Sequence, residues 1–241
     1  NLFCGLDGIS EIVLDTIKIP SEKKELLIPF FQRIKDQYGE PKALVHDMGK
    51  GIVTAVEEVF PGVADFICHF HFLRDIGKDL LLDEYTALQK RLRTLNIRSQ
   101  LRQKSRYLDL KITPISQTIE EIMASLESGT LQTSSPEHVP LITTYALIQW
   151  AFEYPAQSNG YGFPFDRPHL DFFRRLQKVR QLLGEIMKIQ LRSIAKDNKP
   201  FLQIYRTLKN SVEDRRLNDL AANLERKTIV FDKLRTAMRI A

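Results

Sequence analysis

Apolar and polar positions change rhythm near residue 70. Ahead of it, short apolar runs alternate with stretches of helical period; behind it nearly every stretch has helical period. Leu2-Phe3-Cys4-Gly5-Leu6 and Ile12-Val13-Leu14-Asp15-Thr16-Ile17 read as two strands. Asp7-Gly8 between them supplies the positive φ of a tight hairpin, so an antiparallel pair is predicted. From Ser21 to Tyr38, the apolar Leu27, Phe30, Phe31, Ile34 and Tyr38 recur at helical spacing, with Pro29 placed to kink the first part and Gly39 as a C-terminal stop. Lys42 to His46 is a short buried-type strand ending at Asp47. Ile52, Val53, Val56, Val59 and Phe60 then form one face of a helix that Phe60-Pro61-Gly62 ends, and Val63 to Cys68 is a further strand.

Helical period resumes at His71. Glu84 to Tyr107 reads as one basic amphipathic helix with Leu88, Leu92, Leu95 and Leu101 on its apolar side. Residues 128 to 140 and Pro155 to Pro168 are loops by composition, and long helices are predicted from His169 to about Ala195 and from Lys199 onward. The order implies an α/β fold: a strand pair, a helix, a strand ending in Asp, a helix and a strand, followed by a large all-helical region. Domains are expected at residues 1–80 and 81–241.

The 241 residues allow one large domain or two small ones, and 43% hydrophobic with 27% charged residues is an ordinary globular balance. Two cysteines, Cys4 and Cys68, fit a reducing compartment and cannot build a disulfide framework. Apolar runs fall far short of the roughly 18 residues of a membrane span. The first residues carry no initiator Met, basic leader or signal-type stretch, and read as a chain entered in mid-fold.

The net charge of +5 conceals a segregation. Residues 1–71 hold 7 Lys and Arg against 11 Asp and Glu, and residues 72–111 hold 10 against 5. Residues 112–166 hold 6 acids and no Lys or Arg, and residues 167–241 hold 18 basic residues against 8 acids. Two basic blocks point to a cationic surface for a polyanion, or to Lys and Arg coating exposed helix faces.

Asp47 follows an apolar strand and precedes Met48-Gly49-Lys50-Gly51. In open α/β sheets the carboxyl ends of strands carry the chemistry, so Asp47 is either a carboxylate open to a hard divalent cation or a cap for the next helix. His46 alternates to the other strand face and reads as structural. Cys68-His69-Phe70-His71 supplies two zinc-type ligands where a structural site takes four, which favours a polar pair at a strand-to-helix junction. Trp150, the single tryptophan, is a core residue or, if exposed beside basic residues, a stacking platform for an unpaired base. Tyr161 to Phe165 presents the same two readings.

In order along the chain, Ala43-Leu44-Val45-His46-Asp47-Met48, then Ala55 to Val63 with its Phe60-Pro61-Gly62 turn, then Cys68-His69-Phe70-His71-Phe72-Leu73-Arg74-Asp75-Ile76 resemble the DDE transposases of Mutator-like elements and their bacterial insertion-sequence relatives. Gly5 to Leu14 resembles the hairpin ahead of this stretch. The resemblance covers residues 1 to about 80. It implies a partial ribonuclease H-like mixed sheet with flanking helices and a helical insertion. It also implies Asp47 as the second catalytic acid and metal ligand, and Cys68 and His71 as the family's structural Cys/His pair.

The chemistry so implied is DNA cleavage and strand transfer by two-metal phosphoryl transfer with Mg²⁺ or Mn²⁺, without a covalent protein intermediate. The first acid is expected on a strand before residue 1, Asp7 in the turn being a poor substitute. The third is a Glu after the insertion, for which Glu213 and Glu225 lack the family's setting. The chain then reads as an internal piece or remnant, incomplete and inactive alone. The partners are DNA, as transposon ends and target, with a homo-oligomer allowed. The place is the bacterial cytoplasm at the nucleoid, or the nucleus in a eukaryote. Arg74, Lys78, Arg91, Arg98 and Arg102, taken by charge clustering, and Trp150 are the candidate DNA contacts. The alternatives are a non-catalytic or domesticated DNA-binding derivative and a helical interaction protein.

Overall fold

A computed structural model of the chain describes residues 1–112, 139–153, 158, 160–188 and 199–239. The chain divides into two compact units, Asn1–Ile76 with Lys233–Ala241, and Gly77–Asp232. Most of the 128–140 stretch, residues 155–157 and 159 of the segment from Pro155, and the end of the predicted helix toward Ala195 fall outside the described residues.

The first unit is mixed α/β. Strands β1 (Leu2–Leu6) and β2 (Val13–Lys18) pair antiparallel from Leu2 opposite Lys18, with a register shift between Gly5 and Leu6. The connection is wider than the Asp-Gly hairpin that the sequence suggests. Asp7 N–H donates to the Ile12 carbonyl (2.9 Å), the Asp7 carboxylate accepts from Ser10 N–H (3.1 Å) and from the Ser10 hydroxyl, and the positive φ falls on Glu11 at 59°. A carboxylate that turns back onto the backbone replaces the glycine-driven turn.

Helix α1 (Lys24–Tyr38) runs unbroken through Pro29 and stops where Gly39 takes φ 83° and donates its N–H to the Lys35 carbonyl (2.8 Å). Strand β3 (Ala43–His46), helix α2 (Lys50–Val59) and strand β4 (Ala64–Ile67) make a crossover unit whose strands pair parallel from Ala43 opposite Ala64. Leu27, Phe30 and Phe31 of α1 and Ile52, Val56 and Val59 of α2 form one buried cluster, against which Phe3, Ile17 and Leu44 pack from the strands and Val63 from just before β4. Among the described residues the strands form two separate two-stranded sheets, where the family resemblance implies one partial ribonuclease H-like mixed sheet.

Gly51 shows why α2 begins where it does. A Cβ there would lie 1.9 Å from the backbone oxygen of Glu22, so the first turn of α2 sits against the chain entering α1 at a distance only glycine allows. Gly51→Ala forces a backbone displacement and is expected to cost about 2–3 kcal/mol. Thermal unfolding measures this, and a variant that melts with the wild type would show that the approach is not needed.

The second unit is helical. It takes most of α3 (His69–Thr94), then α4 (Ile97–Ile112), α5 (Val139–Phe152), α6 (Pro168–Lys188), α7 (Lys199–Val212) and most of α8 (Arg215–Ala237). Helices α4, α5, α6 and α7 pack on one another around Leu101, Leu108, Ile148, Phe173, Leu176 and Phe201. The predicted helix from Glu84 to Tyr107 is broken. Asn96 adopts φ 49° and its carbonyl accepts the first bond of α4 from Gln100 (3.1 Å), because asparagine tolerates the left-handed region. The helix expected from Lys199 onward is broken too, where the Asp214 carboxylate caps α8 by accepting from Leu217 N–H (2.8 Å). No helix among the described residues is long and apolar enough to cross a membrane.

Candidate functional site

Asp47 stands directly after β3, two residues before Gly49, from which α2 starts. One carboxylate oxygen, Oδ1, accepts from Gly49 N–H at 3.0 Å, and no ion pair engages Asp47 among the described residues. The first helical bonds, from Ile52 and Val53, go to the Gly49 carbonyl. Gly49 is thus the N-cap, and Asp47 shapes the turn ahead of it with its second oxygen left over.

His46, which sequence reasoning set aside as structural, holds this turn in place. Its Nδ1 lies 2.5 Å from the Asp47 carbonyl oxygen and its Nε2 2.7 Å from Asp65 Oδ1, which places the ring in contact with both the end of β3 and β4. The sequence signal for this contact is a two-residue offset, His46 standing opposite Ile67 and Asp65 opposite Leu44, which can be read only once the parallel register is known. Cys68 follows β4, donates its N–H to the His46 carbonyl (2.8 Å) and accepts from Phe72 N–H (3.0 Å), so it is a backbone junction into α3, with His71 in the first turn. Both cysteines are free, and among the described residues no group of three His, Cys, Asp or Glu can hold a metal ion.

A cavity of about 460 Å³ opens in the first unit. It takes its walls from Phe3 to Leu6 of β1 and from Ala43 to His46 of β3, with Leu14 of β2 and no residue of β4. Among the described residues β1 and β3 each pair with one strand only, β2 and β4 respectively. Ile34 and Phe31 of α1 and Val56 of α2 also line it, and Asp7 stands at its border. Arg74, farther along α3, lies with its Nε 3.5 Å from Asp75.

In the second unit the charge-selected residues separate. Lys78 is half-buried on α3. Arg91 is committed to a two-pronged ion pair with Asp214, Nε to Oδ1 at 3.0 Å and Nη2 to Oδ2 at 2.5 Å. Trp150 is 37% exposed and lies under the guanidinium of the buried Arg175, 4.6 Å from the ring centre, which also donates to the Trp150 carbonyl. It is therefore neither a plain core residue nor an uncovered platform. Tyr161 is exposed, while Phe165 is buried, 5.8 Å from Phe231 by ring centres. Glu213 and Glu225 are each taken by an arginine, Arg180 at 2.6 Å and Arg174 at 2.8 Å.

Arg98 and Arg102 do come together, at a cavity of about 620 Å³ that Arg93, Arg106 and His169 also line. Sequence reasoning passed over those three because they lie on separate helices or within a general excess of charge. Arg98 Nη2 lies 3.1 Å from His169 Nδ1, and the Gln89 amide 2.7 Å from Nε2. An arginine can only donate, so Nδ1 is the acceptor and the ring proton sits on Nε2, which pairs with Gln89 when the amide is turned to present its oxygen.

Burial, with the Arg98 and Arg93 charges added, holds the His169 pKa down to about 4. The unfolded chain then carries the extra proton between about pH 6.5 and 4, so this group removes stability as pH falls through that window. His169→Gln is expected to flatten that part of the stability–pH curve by on the order of 2 kcal/mol after allowance for its partial exposure. Equal pH dependence in variant and wild type, by denaturant titration, would contradict it.

No curated protein and no solved structure matches the chain at a significant level. The family model described as "Transposase, Mutator family" matches residues 4–135, more than half of the chain, across the β3–α2–β4 unit that carries Asp47 and on through α4, and the chain belongs to that family.

Proposed function

We propose that the chain is a catalytic-core segment of a DNA transposase, cleaving DNA and transferring a strand by phosphoryl transfer, with Asp47 as one of its catalytic acids. The observation that carries this is the position of Asp47 at the carboxyl end of β3 in a parallel crossover unit, with a carboxylate oxygen not spent on protein, in a chain of the Mutator family. A ribonuclease H-like sheet is supported by the cavity that β1 and β3 line together, each with a single strand partner among the described residues and so able to pair with one more strand.

Mg²⁺ or Mn²⁺ is the proposed cofactor of the complete acid set. A single carboxylate does not hold an ion that asks for near-octahedral oxygens, so Asp47 contributes one ligand and the His46 ring fixes the backbone from which it projects. Cys68 and His71 serve the junction that keeps β4 beside β3. DNA is the proposed partner, bound through phosphates by the basic helices. The test is Asp47→Asn in a transposition-competent chain containing this segment: metal-dependent cleavage is lost if the assignment holds, and retained cleavage by a folded variant removes it.

A second reading, a DNA-binding derivative without catalysis, draws on Glu213 and Glu225 being held in ion pairs. Salt-dependent DNA binding without metal-dependent cleavage in that same transposition-competent chain would mark it.

A further inference from the structure

We infer that the cavity between the end of α3, the start of α4 and the start of α6 is a docking site for the phosphate backbone of duplex DNA. The first argument is contrast. Elsewhere in this unit several arginines are neutralised by carboxylates, Arg91 by Asp214, Arg167 by Asp232, Arg174 by Glu225 and Arg180 by Glu213, while Arg175 is taken up by Trp150 and Arg226 by Asn223. Around the cavity Arg93, Arg102 and Arg106 have no carboxylate partner among the described residues, and no acid lines it. A concave surface that gathers arginines and excludes acids is electrostatically unfinished, and an anion completes it.

The second argument is geometry. Arg98, Arg102 and Arg106 follow one another every four residues on α4, a row of about 12 Å on one helix face. One DNA strand presents a phosphate every ~3.4 Å along the helix axis, so three or four phosphates pass such a row. The row is also held in place. The Arg98 guanidinium lies 4.7 Å over the Phe172 ring and bonds His169, and that of Arg102 lies 5.6 Å over Phe152, which limits the side-chain freedom lost on binding. Asn96, Ser99 and Gln103 add neutral donors at the border. Phosphate contacts of this kind position DNA without reading its sequence. His169 faces Arg98 and Arg93, the Gln89 amide and the Tyr85 ring, with no acid among them. An anion in the cavity therefore favours its protonated form.

The choice of DNA as the polyanion rests on the transposase reading, yet the two fail separately, because Asp47→Asn is read by cleavage and the cavity by binding. The experiment is the salt dependence of binding of the 241-residue chain to a short duplex of arbitrary sequence, by fluorescence anisotropy. The double substitution Arg102→Gln with Arg106→Gln is expected to reduce the log–log salt slope by about 1.8 and to weaken binding on the order of 50-fold near 0.1 M salt. Arg215→Gln with Arg226→Gln, the same charge removed from α8, is expected to leave the slope unchanged. An unaltered slope in the cavity variant, an equal loss in the α8 variant, or a loss of binding to anionic lipid vesicles with duplex binding intact would each overturn the inference. A second readout needs no variant: the His169 titration, followed by nuclear magnetic resonance, moves upward from about 4 on saturation with duplex. A titration that stays in place also overturns it.

Discussion

Asp47→Asn is expected to reduce metal-dependent DNA cleavage by at least about 100-fold, the scale on which removal of one preorganised electrostatic group from a reacting centre is felt. Asparagine keeps the volume and the Oδ1 acceptor, so the bond from Gly49 N–H and the start of α2 survive, and only the negative charge is lost. The variant should therefore melt with the wild type and bind duplex DNA with an unchanged salt slope. That combination separates a chemical role from a capping role. A cap would lose stability on Asp47→Ala and little on Asp47→Asn, with cleavage following stability in both. Cleavage that persists in the folded Asn variant would mean that the carboxylate serves the turn alone.

Phe30→Ala is expected to destabilise the first unit by about 3–5 kcal/mol, the usual cost of removing a buried aromatic ring. Phe30 is fully buried, with edge-on contacts to Phe3 of β1 at 5.2 Å and Phe31 at 5.5 Å between ring centres. The Phe3 contact binds the hairpin to α1, and a Cβ on neighbouring Gly5 would stand 2.7 Å from Ile34, so the two elements are already as close as the chain allows. The resulting hole cannot be closed by drawing the hairpin nearer. Hydrogen exchange of β1 and α1 amides reads the loss locally, and a change below about 1 kcal/mol would show that the site collapses and fills.

Much of the first unit could be read from residue order. The strand at Leu2–Leu6, helical period from Leu27 to Tyr38, the Gly39 stop and the strand–helix–strand run through Asp47 all reappear, and the first two strands pair antiparallel as expected. These are short-range effects: side-chain period follows from backbone geometry, and a glycine at a helix end needs only its own φ. The misreadings lie where one side chain redirects the chain. Asp7 closes the first turn through its carboxylate, Asn96 ends a helix whose apolar period continues past it, and Asp214 restarts another. In each case a single polar group outweighs a pattern spread over many residues, and pattern reasoning averages it away.

Position along the chain was enough to place Asp47 at a strand end and to mark residues 72–111 as cationic. It did not say which partner each arginine meets. Arg91 and Arg98 are two turns apart on paper and equal by charge, yet one is spent on Asp214, distant in sequence by 123 residues, while the other joins His169 at a cavity. His46 likewise gains its part from Asp65, across a parallel register. Period, caps and net charge are local sums that a sequence carries in itself. Which charge is cancelled, and by what, depends on contacts between distant segments, and these exist only after the helices and strands have packed.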